Sequence, residues 1–412
     1  MNGYNLPFRA GSRTLLSNGV NDNFLIRRSY QVPNDFSMFM TVSEWNRDKL
    51  MIAAAVPTGH HADTCDFTYK KYPDVTLPKF MIIGGLKTGS SYLHNILAQH
   101  PSLLASNLKE YYFFAENMLY QNKSLSEFNN IFPLNAQNKI PFYSPVGELR
   151  SISSAPRIRD VFPCMKFIIV MREPLSRSWS HFQMNLREGL ISKNLLNNYE
   201  SYTFEEIDIL TQMITEQLSS VEVKQYINAL PAEERKNLKS ENLILKILSD
   251  CLLQIDPITK VLKNTCSILN LLDSPTIRLL LSHPISSLMI DGLYSEAILY
   301  WLQFFPRSQF HFIIAEDLFQ NPSYEMQKVH QFLEIPDYTY SSDTLKTPVL
   351  VWGGIDNHNA PGDYGPPQIE EMELLYTFLN PFNKRLEYIT GIPNITDRWN
   401  ILNLYPLYKR QD

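Results

Sequence analysis

A single lysine stands among glycines and hydroxyl-bearing residues in "GGLKTGSS", residues 84–91, between an apolar run and a helical pattern. Glycines let the backbone approach a ligand closely. The N–H groups at a helix N-terminus favour an anion such as phosphate. The stretch therefore predicts a phosphate cradle, although an ordinary strand–helix turn with a solvated lysine would share the same pattern.

The cradle differs from the loop of nucleoside-triphosphate enzymes, in which the lysine follows the last glycine. Here Lys87 precedes Gly89. A kinase would also need an aspartate after a strand to hold magnesium, and Asp317 in "FIIAEDL" is the one candidate. A kinase or another nucleoside-triphosphate enzyme is therefore kept as an alternative hypothesis.

A second candidate anion site lies in "FIIVMREPLSRSWSHF", where Arg172 follows another apolar run and Ser180 comes eight residues later. A guanidinium group can bind a phosphate through two hydrogen bonds, and a hydroxyl can add a third. The alternative is a surface arginine paired with Glu173. Two anion sites at strand-to-helix turns together suggest a nucleotide with two separate phosphates.

The elements that must position these residues alternate between strands and helices, which indicates a parallel sheet wrapped by helices. The predicted strands are 79–84, 165–174 and 310–318, and the predicted later helices are 291–306 with Asp291 as its cap, 321–335 and about 368–379. Residues 346–367 form a long loop rich in proline and glycine, of a length that is more often functional than idle.

Composition excludes some classes of protein. The 412 residues are 44% hydrophobic and carry a net charge of −5, which suits a globular chain and argues against a general nucleic-acid binder. No apolar run is long enough for a membrane helix, and the first residues show no signal-peptide core. We expect a soluble chain or one whose anchor is missing from this sequence.

The four cysteines form no CxxC pair, so we expect no structural zinc and no other metal. Cys164, beside an apolar strand, is predicted to be an inert buried thiol. Cys251 and Cys266 could form a short disulfide loop in an oxidising compartment. The group "GHHADTC" at 59–65 is expected to bind nothing, and the sequons at Asn122 and Asn394 are compatible with secretion.

These motifs resemble those of sulfotransferases that use 3′-phosphoadenosine 5′-phosphosulfate. The chain is most similar to the Golgi carbohydrate branch, with N-acetylgalactosamine 4-sulfate 6-O-sulfotransferase and the heparan sulfate sulfotransferases. The stretches that carry the resemblance are "PKFMIIGGLKTGSSYLHNILAQHPSLLASNLKEYYFF", "MKFIIVMREPLSRSWSHF", "GLYSEAILYWLQFFPRSQFHFIIAEDL" and "NPSYEMQKVHQFLEI". It implies a P-loop-like three-layer α/β fold with a central parallel sheet flanked by helices.

The resemblance also implies a role for each matched residue. Lys87 would contact the 5′-phosphosulfate and stabilise charge on the leaving phosphate. The residues that would wrap the 5′-phosphate are Thr88, Gly89, Ser90 and Ser91, and those that would bind the 3′-phosphate are Arg172 and Ser180. The donor would be 3′-phosphoadenosine 5′-phosphosulfate, the product adenosine 3′,5′-bisphosphate, and no metal would be required.

The general base is assigned by the same resemblance, in one of two registers. Aligning the Gly-Glu pair of "VGELRSISSAPRI" makes Glu148 the base, which we favour because an acceptor hydroxyl needs a proton acceptor. Aligning "NKIPFYS" instead puts Asn138 at that position, which would favour a non-catalytic binding module. Lys109 and Glu110 match a family pair near the acceptor and would orient the substrate.

The predicted organisation is an irregular extension over 1–75, a sulfotransferase domain over 76–395 with a mostly helical insert at about 190–290, and a tail over 396–412. The resemblance places the protein in the Golgi lumen, with the cytoplasm as the alternative. The expected partner is a carbohydrate or another hydroxyl-bearing acceptor, and no nucleic acid. Because the net charge is −5 and the 346–367 loop has little positive charge, the acceptor is expected to be small or neutral.

Overall fold

The structure is a computed structural model that describes residues 65–115, 120, 124–133, 138–145, 147–151, 153–187, 199, 202–204, 206–207, 288–346, 350–351, 354–355 and 369–400. Several predictions concern residues outside these ranges. They are the sequon at Asn122, the pairing of Cys251 with Cys266, residues 59–64, most of the helical insert and most of the 346–367 loop.

A sheet of five parallel strands forms the centre of the fold, in the spatial order β2-β3-β1-β4-β5. The strands are β1 (Phe80–Gly84), β2 (Leu103–Ala105), β3 (Ile140–Tyr143), β4 (Lys166–Met171) and β5 (Phe310–Ile314). A separate antiparallel pair consists of β6 (Leu350–Val351) and β7 (Gly354–Ile355). The predicted parallel sheet is therefore confirmed.

Ten α-helices and four short 3-10 turns can be given bounds among the described residues. The helices are α1 (Phe67–Lys71), α2 (Ser90–Leu97), α3 (Phe128–Ile131), α4 (Ser154–Val161), α5 (Pro174–Arg187), α6 (Tyr294–Trp301), α7 (Ala315–Gln320), α8 (Pro322–Leu333), α9 (Ile369–Thr390) and α10 (Ile395–Arg398). The 3-10 turns are Leu125–Glu127, Glu148–Arg150, Ile290–Gly292 and Arg307–Gln309.

Both faces of the sheet are covered, which explains why the strands are continuous apolar runs. On one face, Ile82 of β1 and Ile168 of β4 pack with Leu93 and Ile96 of α2. On the other face, the alternate residues of the strands, such as Ile169, pack in a core that includes residues of α4 and α6. Helices on both sides of a parallel sheet make the three-layer α/β fold that the sequence predicted.

The candidate site residues lie where the chain changes direction across the sheet. From β1 the chain continues to β2 on one side, and from the adjacent β4 it continues to β5 on the other side. In open parallel sheets, ligands bind beyond the carboxyl ends of the strands at such a switch point. The loops after β1 and β4 therefore face the expected ligand crevice.

The N-terminal part of the described chain is tied to the domain by a disulfide. Cys65 is bonded to Cys164, 99 residues away in the sequence. The prediction that Cys164 is an inert buried thiol is therefore wrong. Helix α1 follows Cys65, and Tyr69 of this helix packs against the core, so residues 65–75 are attached to the domain.

The ends of several helices and strands differ from the predicted ends, because tertiary contacts extend or shorten these elements. The predicted strand 310–318 ends at Ile314, and the predicted final helix continues to residue 390 with Pro381 inside it. Packing continues beyond 395, because Trp399 is only 1% exposed and lies in the core. Asp291 lies in a 3-10 turn and its side chain caps no helix, since α6 begins at Tyr294.

Candidate functional site

In the loop between β1 and α2, neighbouring atoms lie so close to Gly84 and Gly89 that little room is left for a side chain. A Cβ atom on Gly84 would lie 3.1 Å from the carbonyl oxygen of Val170 in β4. Gly89 has φ +95° and a Cβ there would lie 2.8 Å from the ring of Phe319. Lys87 also has a positive φ of 66°. Left-handed residues that alternate with right-handed ones turn backbone N–H groups towards one side, as in anion-binding nests.

The side chains of the β1–α2 loop and the start of α2 have different environments. Lys87 is partly exposed, Ser91 is exposed and Ser90 is buried. Thr88 is fully buried, and its Oγ1 donates a hydrogen bond to the carbonyl oxygen of Gly85 at 3.0 Å. The hydroxyl of Thr88 therefore stabilises the loop itself, which leaves its backbone N–H as its contribution to an anion site.

The turn after β4 holds Arg172 inside the protein. Its side chain is 4% exposed, and the hydroxyl of Tyr294 donates to its carbonyl oxygen at 2.9 Å. Glu173 accepts hydrogen bonds from the N–H groups of Leu175 and Ser176 at the start of α5, at 2.9 and 2.6 Å. The alternative of a surface arginine paired with Glu173 therefore does not describe this turn.

The two predicted anion sites meet in the structure. Nη1 of Arg172 donates a hydrogen bond to the carbonyl oxygen of Lys87 at 3.3 Å. Further along α5, Ser180 is fully buried and its Oγ has no hydrogen-bond partner among the described residues. A buried hydroxyl without a partner is unfavourable unless a ligand satisfies it. The residues therefore fit a ligand with two anionic groups, held by adjacent strand ends.

Behind these residues lies a buried charge network that the sequence analysis did not identify. Asp291 accepts a hydrogen bond from Nη1 of Arg150 at 3.3 Å and lies 3.8 Å from Nη1 of Arg177. Arg177 is fully buried. His181 follows on the same helix, and its burial together with the charge of Arg177 lowers its pKa to about 3. The imidazole is therefore neutral at physiological pH.

Glu148 begins the 3-10 turn that follows Gly147, and the N–H of Gly147 donates to the carbonyl of Gly84 at 3.1 Å. The Glu148 carboxylate is fully buried and accepts hydrogen bonds from Ser154 Oγ and from the N–H of Phe114. Burial raises its pKa to about 7, and the hydrogen bond from Ser154 opposes the rise. The group would be half-protonated near neutral pH, but it is enclosed.

Lys109 and Glu110 follow β2 on the same edge of the sheet. Their side chains form an ion pair at 2.9 Å, in which the carboxylate is 48% exposed, and the hydroxyl of Tyr112 lies 3.5 Å from the other carboxylate oxygen. The Tyr112 ring would contact a Cβ on Gly147 at 3.3 Å. The pair therefore lies beside the Glu148 turn and is open to solvent.

Residues 77–346 match the sulfotransferase domain family. The chain belongs to this family. It is 25% identical to the membrane-associated sulfotransferase kil1 of Dictyostelium discoideum over 64% of this chain and 57% of that protein. It is 23% identical to the human heparan sulfate glucosamine 3-O-sulfotransferase 5 over 76% of this chain and 72% of that protein. The resemblance to carbohydrate sulfotransferases is confirmed.

Among solved structures, a sulfotransferase from Alicyclobacillus acidocaldarius aligns with 77% of this sulfotransferase and with 97% of its own chain, with a TM-score of 0.46 and 17% identity.

No helix among the residues described here is both long and apolar enough to cross a membrane. Within those same residues, no cluster of three or more His, Cys, Asp or Glu side chains could hold a metal ion. Asp317, the candidate magnesium ligand, instead pairs with Arg398.

The sequence carried only a partial signal for the buried network of this sulfotransferase. Arg177 lies three residues before Ser180, so the two share a helix face, and this spacing could have linked it to the anion site. The pairing of Arg177 with Asp291 gave no local signal, because the partners lie far apart in the sequence. The site roles of Lys87, Arg172 and Ser180 stay predictions.

Proposed function

We propose that this sulfotransferase moves a sulfuryl group from 3′-phosphoadenosine 5′-phosphosulfate to a hydroxyl group of a carbohydrate. The observation that carries the proposal is the hydrogen bond from Arg172 Nη1 to the carbonyl oxygen of Lys87. It joins the loop after β1 to the turn after β4, so one crevice would hold both phosphates of this nucleotide. A nucleoside triphosphate would not need the second site.

The residues of the two turns have separate tasks in this proposal. When bound, the donor supplies the sulfuryl group. The backbone N–H groups from Lys87 to Ser91 would bind its 5′ end at the N-terminus of α2. Arg172 and the unpartnered Oγ of Ser180 would bind its 3′-phosphate. The ammonium group of Lys87 would stabilise the charge that grows on the leaving oxygen, as in phosphoryl transfer.

Two carboxylates beside the crevice differ in access to an acceptor. Glu148, the base predicted from the sequence, is fully buried and hydrogen bonded on both oxygens. Glu110 is half-exposed and lies next to Lys109 and Tyr112. Because a base must lie within hydrogen-bond reach of the acceptor hydroxyl, the geometry supports Glu110 as the proton acceptor. Glu148 would then hold Phe114 and Ala115 in place beside it.

The surface around Glu110 suits a sugar acceptor with little negative charge. Leu108 is 51% exposed and the Tyr112 ring is partly exposed, which suits stacking on a sugar ring. Lys109 is paired with Glu110, and the net charge of the chain is −5. The relatives' names include heparan sulfate enzymes. For this protein we propose a carbohydrate acceptor of lower charge.

The disulfide supports maturation in the Golgi lumen. Disulfides persist in oxidising compartments of the secretory route and are rare in the cytosol. Cys65 and Cys164 form one here, and the sequon residue Asn394 is exposed at the turn before α10. Expression in a secretory host, followed by mass measurement with and without reducing agent and glycosidase, tests both features. Reduced cysteines in the secreted protein would contradict this placement.

Calorimetric titration of the full chain tests the donor site. The ligands are adenosine 3′,5′-bisphosphate and ADP with magnesium. The variants are Arg172→Ala and, as a control, Arg187→Ala, an exposed arginine at the end of α5. We expect the bisphosphate alone to bind, more weakly to the first variant and unchanged to the second. Binding of ADP with magnesium in its place would refute the proposal in favour of a kinase.

A transfer assay with radiolabelled donor separates the candidate bases. Glu110→Gln and Glu148→Gln are compared at saturating donor on a panel of neutral and sulfated oligosaccharides. The geometry predicts that the Glu110 variant loses about 100-fold or more in kcat. The Glu148 variant is expected to keep most of its kcat once folded. The reverse order would restore Glu148 as the base, and bisphosphate binding without transfer to any acceptor would indicate a non-catalytic module.

A further inference from the structure

Arg177 of α5 contacts the backbone of the β1–α2 loop. One guanidinium nitrogen, Nη1, donates to the carbonyl oxygen of Leu86 at 3.3 Å, and Nη2 donates to the carbonyl of Leu288. The side chain is fully buried. Because both terminal nitrogens of Arg177 donate to backbone carbonyl groups, we expect it to influence the ligand through the loop rather than by direct contact.

Asp291 pairs with the same guanidinium nitrogen that donates to the loop carbonyl. Its carboxylate lies 3.8 Å from Nη1 of Arg177, and its side chain is 1% exposed. The backbone of Asp291 also touches the loop, because a Cβ on Gly85 would lie 3.3 Å from the Asp291 carbonyl oxygen and 3.7 Å from Cδ of Arg177. The 3-10 turn at Ile290–Gly292 therefore supports both the arginine and the loop.

Two neighbouring carbonyl groups of the loop are thus held by arginines. Arg177 binds the carbonyl of Leu86, and Arg172 binds the carbonyl of Lys87. In a planar trans peptide group, the C=O and the following N–H point in opposite directions. Fixing these two carbonyls therefore turns the N–H groups of Lys87 and Thr88 away from the arginines, as an anion-binding turn requires.

We propose that Arg177 and Asp291 are positioning residues that orient the β1–α2 loop for the 5′ end of the nucleotide. This inference rests on the proposed function, because it assumes that the loop binds a 5′-phosphate. Lysine cannot replace Arg177, since a single ammonium group cannot reach the carbonyls of both Leu86 and Leu288 with the planar geometry of a guanidinium. Asparagine at 291 would keep the shape of the side chain and remove the charge that holds Arg177.

The test compares two nucleotides that differ only at the 5′ position. Adenosine 3′,5′-bisphosphate and adenosine 3′-monophosphate are titrated into the wild type, Arg177→Lys and Asp291→Asn. The ratio of the two affinities measures the contribution of the 5′-phosphate. We expect Arg177→Lys to weaken bisphosphate binding about tenfold, the equivalent of one hydrogen bond, and monophosphate binding less than about twofold. Asp291→Asn should change the ratio in the same direction by a smaller factor.

The matched control is Arg385→Lys, because Arg385 is also buried and is paired with Glu296 at 3.0 Å without contacting the loop. The control should lower thermal stability and leave the affinity ratio unchanged. An equal loss of affinity for both nucleotides, or a wild-type ratio in both test variants, would overturn the positioning role. If Arg177→Lys does not fold, Asp291→Asn decides. A wild type that binds no bisphosphate refutes the proposed function, and this inference with it.

Discussion

The buried carboxyl group of Glu148 should make stability fall as pH rises through neutrality. Burial raises its pKa in the folded protein from 4.5 to about 7. The folded state therefore binds a proton more tightly than the unfolded state, and between these two values the free energy of unfolding decreases with increasing pH. The stabilisation is complete below pH 4.5 and is lost as pH rises through about 7.

The size of the effect follows from the change in pKa. Each pH unit within the window corresponds to about 1.4 kcal/mol, so between pH 5 and pH 8 the contribution of Glu148 falls by about 2.5 kcal/mol. Glu206 and Glu173 are also buried with raised pKa values, so the whole protein has a steeper pH dependence. Glu148→Gln isolates one group, because the other carboxyl groups are the same in both proteins.

The measurement is urea denaturation of wild type and Glu148→Gln at pH 5, 6, 7 and 8. The glutamine carbonyl can still accept the hydrogen bond from the N–H of Phe114. From pH 5 to pH 8, we expect the unfolding free energy of the wild type to fall by about 2.5 kcal/mol relative to that of Glu148→Gln. A difference that stays constant within about 0.5 kcal/mol would show that the Glu148 carboxylate is not enclosed as described.

Three further variants test other parts of the site and the fold. Lys87→Ala should lower kcat about 100-fold or more by removing charge stabilisation of the leaving oxygen, measured by single-turnover transfer; a loss under threefold would contradict this role. Gly89→Ala should lower the free energy of unfolding by about 1–3 kcal/mol and weaken bisphosphate binding, because residue 89 has a φ of +95° and a Cβ there would meet Phe319. Urea denaturation and calorimetry measure the two effects. Cys65→Ser should lower stability by about 2–4 kcal/mol in non-reducing urea denaturation, and an unchanged midpoint would argue against the bond to Cys164.

The sequence by itself determined the fold class and the two loops of the candidate site. Apolar runs such as residues 79–84 can only be buried on both faces, and the helical pattern after "GGLKTGSS" follows directly along the chain. Glycine, lysine and hydroxyl residues at a strand-to-helix turn carry their chemistry locally. For this reason Lys87 and Arg172 could be selected without knowing what surrounds them.

Only the tertiary structure decided how these residues are supported. Arg177 meets the carbonyl of Leu288, 111 residues away, and Cys65 is bonded to Cys164, 99 residues away, and no local pattern encodes either pairing. Glu148 matched a family glutamate in sequence, yet the fold encloses its carboxylate. Type and spacing indicate which groups can bind or react. Burial and long-range contacts determine which groups reach the ligand and which hold the others in place.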